Sequence, residues 1–215
     1  MEKPRLQSGE GSASFFLGPM FSGKTNAICS SFDRIRYGGA DCLFIQHELD
    51  TRYGDRPGAY THSGTSLHEE PAVESNGQTP RRGGLRVVRV GRLADVTLAD
   101  CERYIGVDEG QFFEDLRPWL EARLVEGRNV FVAALDGDFR RNMFPPVAEA
   151  LPLATSLVKL KAVCMYCTLK MNGPVEASYT VRTVAAEQDG PLVGASDKYK
   201  AACHTCYSIA NKLNV

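Results

Sequence analysis

The stretch from Ser14 to Thr25, SFFLGPMFSGKT, decides the fold. Its first residues form an apolar run of strand type, and Gly18-Pro19-Met20-Phe21-Ser22-Gly23-Lys24-Thr25 matches the pattern G-x-x-x-x-G-K-[ST]. The following NAICSSFDRIRY carries apolar residues at helical spacing until Gly38 and Gly39 stop it. Strand, glycine-bearing loop and helix make up the setting in which that pattern has a chemical use. Backbone N–H groups turn inward around phosphate oxygens, the helix N-terminus adds positive potential, and Lys24 sets a point charge against the outer phosphates. Thr25 would offer its hydroxyl to Mg²⁺. The competing reading is a glycine turn with an incidental lysine, and the strand and helix on either side argue against it.

Outward from this loop the same alternation repeats. CLFIQ at 42–46 reads as a second buried strand, and DTRYGDRPG at 50–58 as its polar exit. LRVVRV, YIGVD and NVFVAALDG are further apolar runs, with WLEARLVEG supplying helical spacing before the last. SLVKLKAV at 156–163 reads as the final strand, running directly into Cys164. Strands alternating with helices predict an α/β fold, a P-loop NTPase-like, mostly parallel sheet with flanking helices. Between Tyr60 and Gly84 large apolar residues are few, so a long mobile loop is expected, with disorder near Asn76 to Gly84. The expected organisation is a disordered tail over 1–13, an α/β domain over 14–162 and a small second domain over 163–215.

Composition narrows the function class. At roughly 150 residues per domain, 215 residues suit one core domain plus an appendage. With 43% apolar and 24% charged residues the chain can bury a core. The net charge of −1 provides no overall positive field for nucleic acid or an anionic membrane, so a bound anion must be held locally. Seven cysteines, with no apolar leader after Met1, point to a reducing compartment, expected to be the cytoplasm. No window approaches the ~20 apolar residues of a membrane span.

A phosphate loop needs a carboxylate on a neighbouring strand end to hold the metal, and YIGVDEGQFF supplies Asp108 there. The adjacent Glu109 would point elsewhere and meet substrate, a division that suggests acid/base work. A solvated acid or an arginine partner is the alternative for Glu109, and ordinary core the alternative for Phe112 and Phe113. Two C-x-x-C pairs, Cys164 with Cys167 and Cys203 with Cys206, have the spacing of a closed Cys₄ zinc site, structural in kind. His204 is a substitute ligand by type, although the regular spacing favours Cys206. Cys29, Cys42 and Cys101 read as small buried hydrophobes.

With these features together the chain resembles the type II, cytosolic thymidine kinases, over roughly Ser14 to Tyr207. The matching motifs are GPMFSGKT, DTRY at 50–53, VDEGQFF at 107–113, AALDGDF at 133–139, SLVKLKAVCMYC at 156–167, SYT at 178–180 and SDKYKAAC at 196–203. The resemblance implies transfer of the γ-phosphate of ATP to the 5′-hydroxyl of thymidine, with Glu109 as general base and Asp108 as the magnesium-side acid. It places Asp50, Arg52 and Gln111 on the phosphate side, Arg52 and Lys24 acting in catalysis. A salt-bridged loop exit is the other reading of Asp50 and Arg52. For the nucleoside it implies Met20, Phe112, Leu135, Phe139, Phe144, Thr180 and Tyr199. The backbone of Gly190, Pro191, Leu192, Val193 and Gly194 would meet the pyrimidine edge. The span between the cysteine pairs would be a lasso-like flap tied by zinc. The resemblance further implies a homotetramer inhibited by thymidine triphosphate. A zinc-containing ATPase acting on nucleic acid is the alternative, disfavoured by the neutral charge and the lack of a basic stripe.

Overall fold

The computed structural model describes residues 9–50, 59–60, 66–67, 69–74, 81–168, 173–183 and 198–213. Its frame is β1 (Ser12–Gly18), α1 (Lys24–Tyr37), β2 (Cys42–His47), the short strands β3 (Ala59–Tyr60) and β4 (Ser66–Leu67), and β5 (Leu85–Val90). β6 (Tyr104–Val107), α2 (Leu116–Val125), β7 (Asn129–Leu135), α3 (Pro145–Ala150) and β8 (Ser156–Lys159) complete it. Six of these strands form one sheet in the order β5-β2-β6-β7-β1-β8, and every adjacent pair is parallel. Because the pairing is parallel, the carboxyl ends of the strands share one edge, where ligands bind in open α/β sheets.

Strand alternation sorts the apolar side chains onto two faces. Phe15, Leu17, Leu43, Ile45, Val130 and Val132 pack on one face with Phe113, Leu116 and Leu120. Phe16, Phe44 and Phe131 pack on the other with Ile28, Phe32 and Ile35 of α1. Phe32 meets Phe44 and Phe131 edge-on, with ring centroids 6.2 and 5.9 Å apart. Gly106 in β6 makes this possible: a Cβ there would lie 2.8 Å from Ile28 and 3.0 Å from the Phe32 ring, so a side chain would push α1 off the sheet.

Three sequence expectations are corrected. The strand expected from Ser14 begins at Ser12, inside the expected tail, because Ser12 N–H donates to Arg128 O at 3.1 Å and its hydroxyl to Asn129 at 2.7 Å. The single strand over 156–163 is two. β8 pairs with β1 as far as Lys159, and β9 (Ala162–Val163) pairs antiparallel with β10 (Glu176–Ala177). Arg81–Gly84, expected disordered, is pinned. The Arg36 side chain, 1% exposed, donates to Gly83 O at 3.0 Å and to Glu70 at 2.6 Å, and Arg82 bridges to Val73. The rest of that expected segment, 76–80, lies outside the described residues.

After β9 the elements shorten: α4 (Met165–Thr168), β10, β11 (Tyr179–Arg182), β12 (Tyr199–Ala202) and α5 (His204–Leu213). Their cores are small. Ala162, Cys164, Ala177 and Ala201 form one, and Val181, Ala202 and Tyr207 the other. Among the described residues no helix is long and apolar enough to cross a membrane.

Candidate active site

β1 ends at Gly18, where a Cβ would sit 2.6 Å from Ser22 Oγ and 2.7 Å from Leu160 O, so the loop can fold back only over glycine. The turn then takes left-handed backbone at Phe21 (φ 64°) and Gly23 (φ 80°) before α1 starts at Lys24. A non-glycine residue held in that region is strained, and such strain gathers at ligand-binding turns. Phe21 is held by packing on the Ala162, Cys164, Ala177 and Ala201 cluster. Lys24 is buried, and its ammonium donates to Pro19 O at 2.8 Å, within the loop it would serve. Thr25 Oγ1 donates toward both carboxylate oxygens of Asp108, each at 3.1 Å.

Asp108 and Glu109 follow β6 at the carboxyl edge, both buried. Asp108 N–H donates to Ile45 O at 2.9 Å, which fixes the acid beside β2. Glu109 has left-handed backbone (φ 52°). Gln111 receives it: its amide donates to Glu109 Oε2, while its Oε1 accepts from Leu135 N–H at 3.0 Å. Gln111, expected on the phosphate side, thus braces the carboxylate against β7. At the end of β2, His47 Nδ1 accepts from Leu49 N–H at 3.1 Å, and Asp50 N–H donates to His47 O at 3.0 Å. Burial holds the His47 pKa below its usual value, so the neutral ring that accepts this hydrogen bond is favoured. Asp50 is buried at this turn, whereas Arg52 lies outside the described residues.

The described residues expected to meet the nucleoside lie as follows. Leu135 ends β7, and Phe112, half-buried, has its ring 5.6 Å from His47. Met20 N–H donates to Thr180 Oγ1 at 3.1 Å, which joins the phosphate loop to β11. Tyr199 is buried on β12, and Phe139 O accepts from the Tyr207 hydroxyl at 2.7 Å. Phe144, half-buried just before α3, packs against the core under the sheet. Gly190, Pro191, Leu192, Val193 and Gly194 lie outside the described residues.

The four expected cysteine ligands come together. Their sulfurs all lie within 4.8 Å of one another, with Cys167 Sγ 3.8 Å from Cys203 Sγ and 3.5 Å from Cys206 Sγ. Zn–S bonds of about 2.3 Å in a tetrahedron need sulfurs about 3.8 Å apart, so the quartet fits zinc. Cys164 and Cys203 each immediately precede a helix, α4 and α5. Burial raises the Cys164 thiol pKa, but backbone N–H groups of Cys203, Cys167 and Tyr166 outweigh it and bring the pKa down to about 7, favouring the ligating thiolate. His204 is not part of the quartet; its ring lies 5.9 Å from that of Tyr179. Of the three other cysteines, Cys29 and Cys42 are buried as expected, and burial pushes both thiols up to about 12. Cys101 is exposed, a correction: it stands in the turn before β6, outside any apolar layer.

The thymidine kinase family profile matches residues 11–207. The chain belongs to the thymidine kinase family. The thymidine kinase of Myxoma virus (strain Lausanne) is 34% identical over 198 residues, spanning 92% of this chain and 96% of the viral protein. The cytosolic thymidine kinases of Gallus gallus and Homo sapiens are each 36% identical over 197 residues, spanning 92% of this chain and 77% and 73% of theirs.

Two polar residues outside the motifs stand beside residues expected at the site. His47 is one, hidden because a histidine inside CLFIQH looks like the polar end of a strand. Arg182 is the other, 5% exposed at the end of β11, with its guanidinium 5.4 Å from the centre of the Phe139 ring. Its signal was present in the alternation of Tyr179-Thr180-Val181-Arg182, which puts Thr180 and Arg182 on one face.

Proposed function

We propose that this chain transfers the γ-phosphate of ATP to the 5′-hydroxyl of thymidine, and of deoxyuridine, giving the nucleoside monophosphate. The observation that carries the reading is a pair of buried acids at the end of β6, Asp108 held by Thr25 of the glycine loop and Glu109 braced by Gln111. Phosphoryl transfer asks mainly for positioning and charge neutralisation.

In this reading the loop amides of Gly18 to Thr25 and the Lys24 ammonium hold the ATP phosphates, joined by Asp50 and Arg52. Thr25 and Asp108 would hold Mg²⁺, which supplies charge neutralisation on the phosphate oxygens when bound. Glu109 takes the proton of the 5′-hydroxyl. Phe112, Leu135, Phe139 and Phe144 offer an apolar wall for the pyrimidine, Met20, Thr180 and Tyr199 complete it, and the Gly190–Gly194 backbone meets the edge of the base. The four cysteines would hold structural zinc. The chain then divides into an α/β kinase domain from β1 to β8 and a zinc-tied lasso from β9 onward. Location in the cytoplasm, a homotetramer and inhibition by thymidine triphosphate complete the proposal.

Glu109→Gln keeps the shape of the side chain and its neighbour Gln111 but cannot accept the proton. Turnover should fall roughly 10²- to 10⁴-fold, with ATP affinity and melting temperature unchanged. Turnover close to the parent's would remove Glu109 from the role of base. A panel of thymidine, deoxyuridine and deoxycytidine at fixed Mg²⁺ tests the substrate class.

A further inference from the structure

Arg182 carries a feature that the reaction as described leaves without a use. The residue is 5% exposed, and among the described residues its Nε and Nη1 have no hydrogen-bond partner. Two buried guanidinium N–H groups without an acceptor are costly, and the Phe139 ring at 5.4 Å offers the charge a π face but no acceptor for those N–H groups.

The surroundings are the nucleoside side of the site. Thr180, two residues earlier on the same face of β11, accepts from Met20 N–H of the phosphate loop at 3.1 Å. Tyr199 lies directly across the β11–β12 ladder from Arg182, so its side chain shares that face. The Phe139 ring lies under the guanidinium at 5.4 Å. Arg182 therefore stands among residues expected to touch nucleoside, one β-strand step from the phosphate loop. Thymidine is neutral; its carbonyls and hydroxyls can accept a hydrogen bond but cannot balance a buried positive charge. The group on this side that can do so is the phosphate which the reaction places on the nucleoside.

We propose that Arg182 is the anion-holding residue of the nucleoside side, its guanidinium binding the 5′-phosphate of a pyrimidine nucleoside monophosphate. The proposal rests on the thymidine kinase reading. Arg182 recognises the product class rather than the nucleoside, and it gathers the charge that appears there as the phosphoryl group arrives.

The test measures thymidine and thymidine 5′-monophosphate binding by calorimetry on the full chain, for the parent, Arg182→Gln and Arg182→Lys. A hydrogen-bonded charge pair lost from a buried site should weaken the monophosphate on the order of 10- to 100-fold. Thymidine should change by less than about twofold, and lysine should recover part of the loss because it keeps the charge but not the fork. Equal weakening of both ligands overturns the proposal, since Arg182 then shapes the pocket or the lasso; so does an unchanged monophosphate affinity. If the glutamine variant does not fold, the lysine variant decides: monophosphate weaker with thymidine unchanged supports the proposal, and any other pattern overturns it. A parent protein that binds the monophosphate but neither binds nor phosphorylates thymidine would instead sink the kinase reading alone.

Discussion

The sheet and the cysteine-tied segment are held together by different means. Around α1 the core is built of large side chains, Phe16, Ile28, Phe32, Phe44 and Phe131, that fill both sides of a tight helix–sheet contact. The segment after β9 buries mainly alanines, a valine and Tyr207, around strands of two to four residues. At roughly 25 cal/mol per Å² of apolar surface, the first region can stabilise itself by burial. The second buries too little apolar surface for that, and four sulfurs within 4.8 Å of one another form a cluster that fits a structural metal, which would supply the remainder. Chemistry follows the same split. The P-loop-type turn and the two acids sit on the self-supporting sheet, while Thr180, Arg182 and Tyr199 come from strands β11 and β12 of the cysteine-tied segment.

The largest effect that would break this comparison is metal removal. Structural zinc contributes on the order of 10 kcal/mol of apparent folding free energy in small modules. Strong chelation should therefore release amide protection over residues 164–206 while β1, β2, β6 and β7 stay protected. Hydrogen exchange showing one cooperative loss across both regions would mean that they are a single unit. Phe32→Ala probes the opposite side. Emptying a fully buried aromatic site should cost roughly 3–5 kcal/mol, read as a fall in the melting temperature of the sheet at unchanged zinc content.

Much of this architecture was legible in the sequence because its signals are local. A glycine-bearing loop between an apolar run and a helical pattern marks a candidate phosphate site, and two C-x-x-C pairs mark a candidate metal site, with no need of tertiary knowledge. What stayed hidden depends on partners distant in the chain. Arg81–Gly84 looks like a flexible stretch until Arg36, on α1, is seen to reach across and hold Gly83 O. The run over 156–163 looks continuous because periodicity cannot show that pairing with β1 stops at Lys159 while Ala162 turns to β10. Gln111 has no local signal for the contacts that only the fold supplies, Leu135 N–H to its carbonyl and Glu109 to its amide.

The smallest effect lies at the seam. Met20 N–H to Thr180 Oγ1 is a direct hydrogen bond from the phosphate loop to β11, and Phe21 packs beside it on the cysteine-side cluster. Thr180→Val keeps the volume and the β-branched shape and removes the acceptor, leaving a half-buried N–H unpaired at a net cost of about 1 kcal/mol. If the two regions communicate through this seam, the loss should appear as a several-fold rise in KM for thymidine with a smaller change in KM for ATP. The melting temperature of the sheet should move little, because the strands that hold it make no use of that bond. Equal changes in both KM values would place Thr180 with the phosphate loop rather than the nucleoside, and the division between a rigid phosphate side and a metal-held nucleoside side would have to be redrawn through β11.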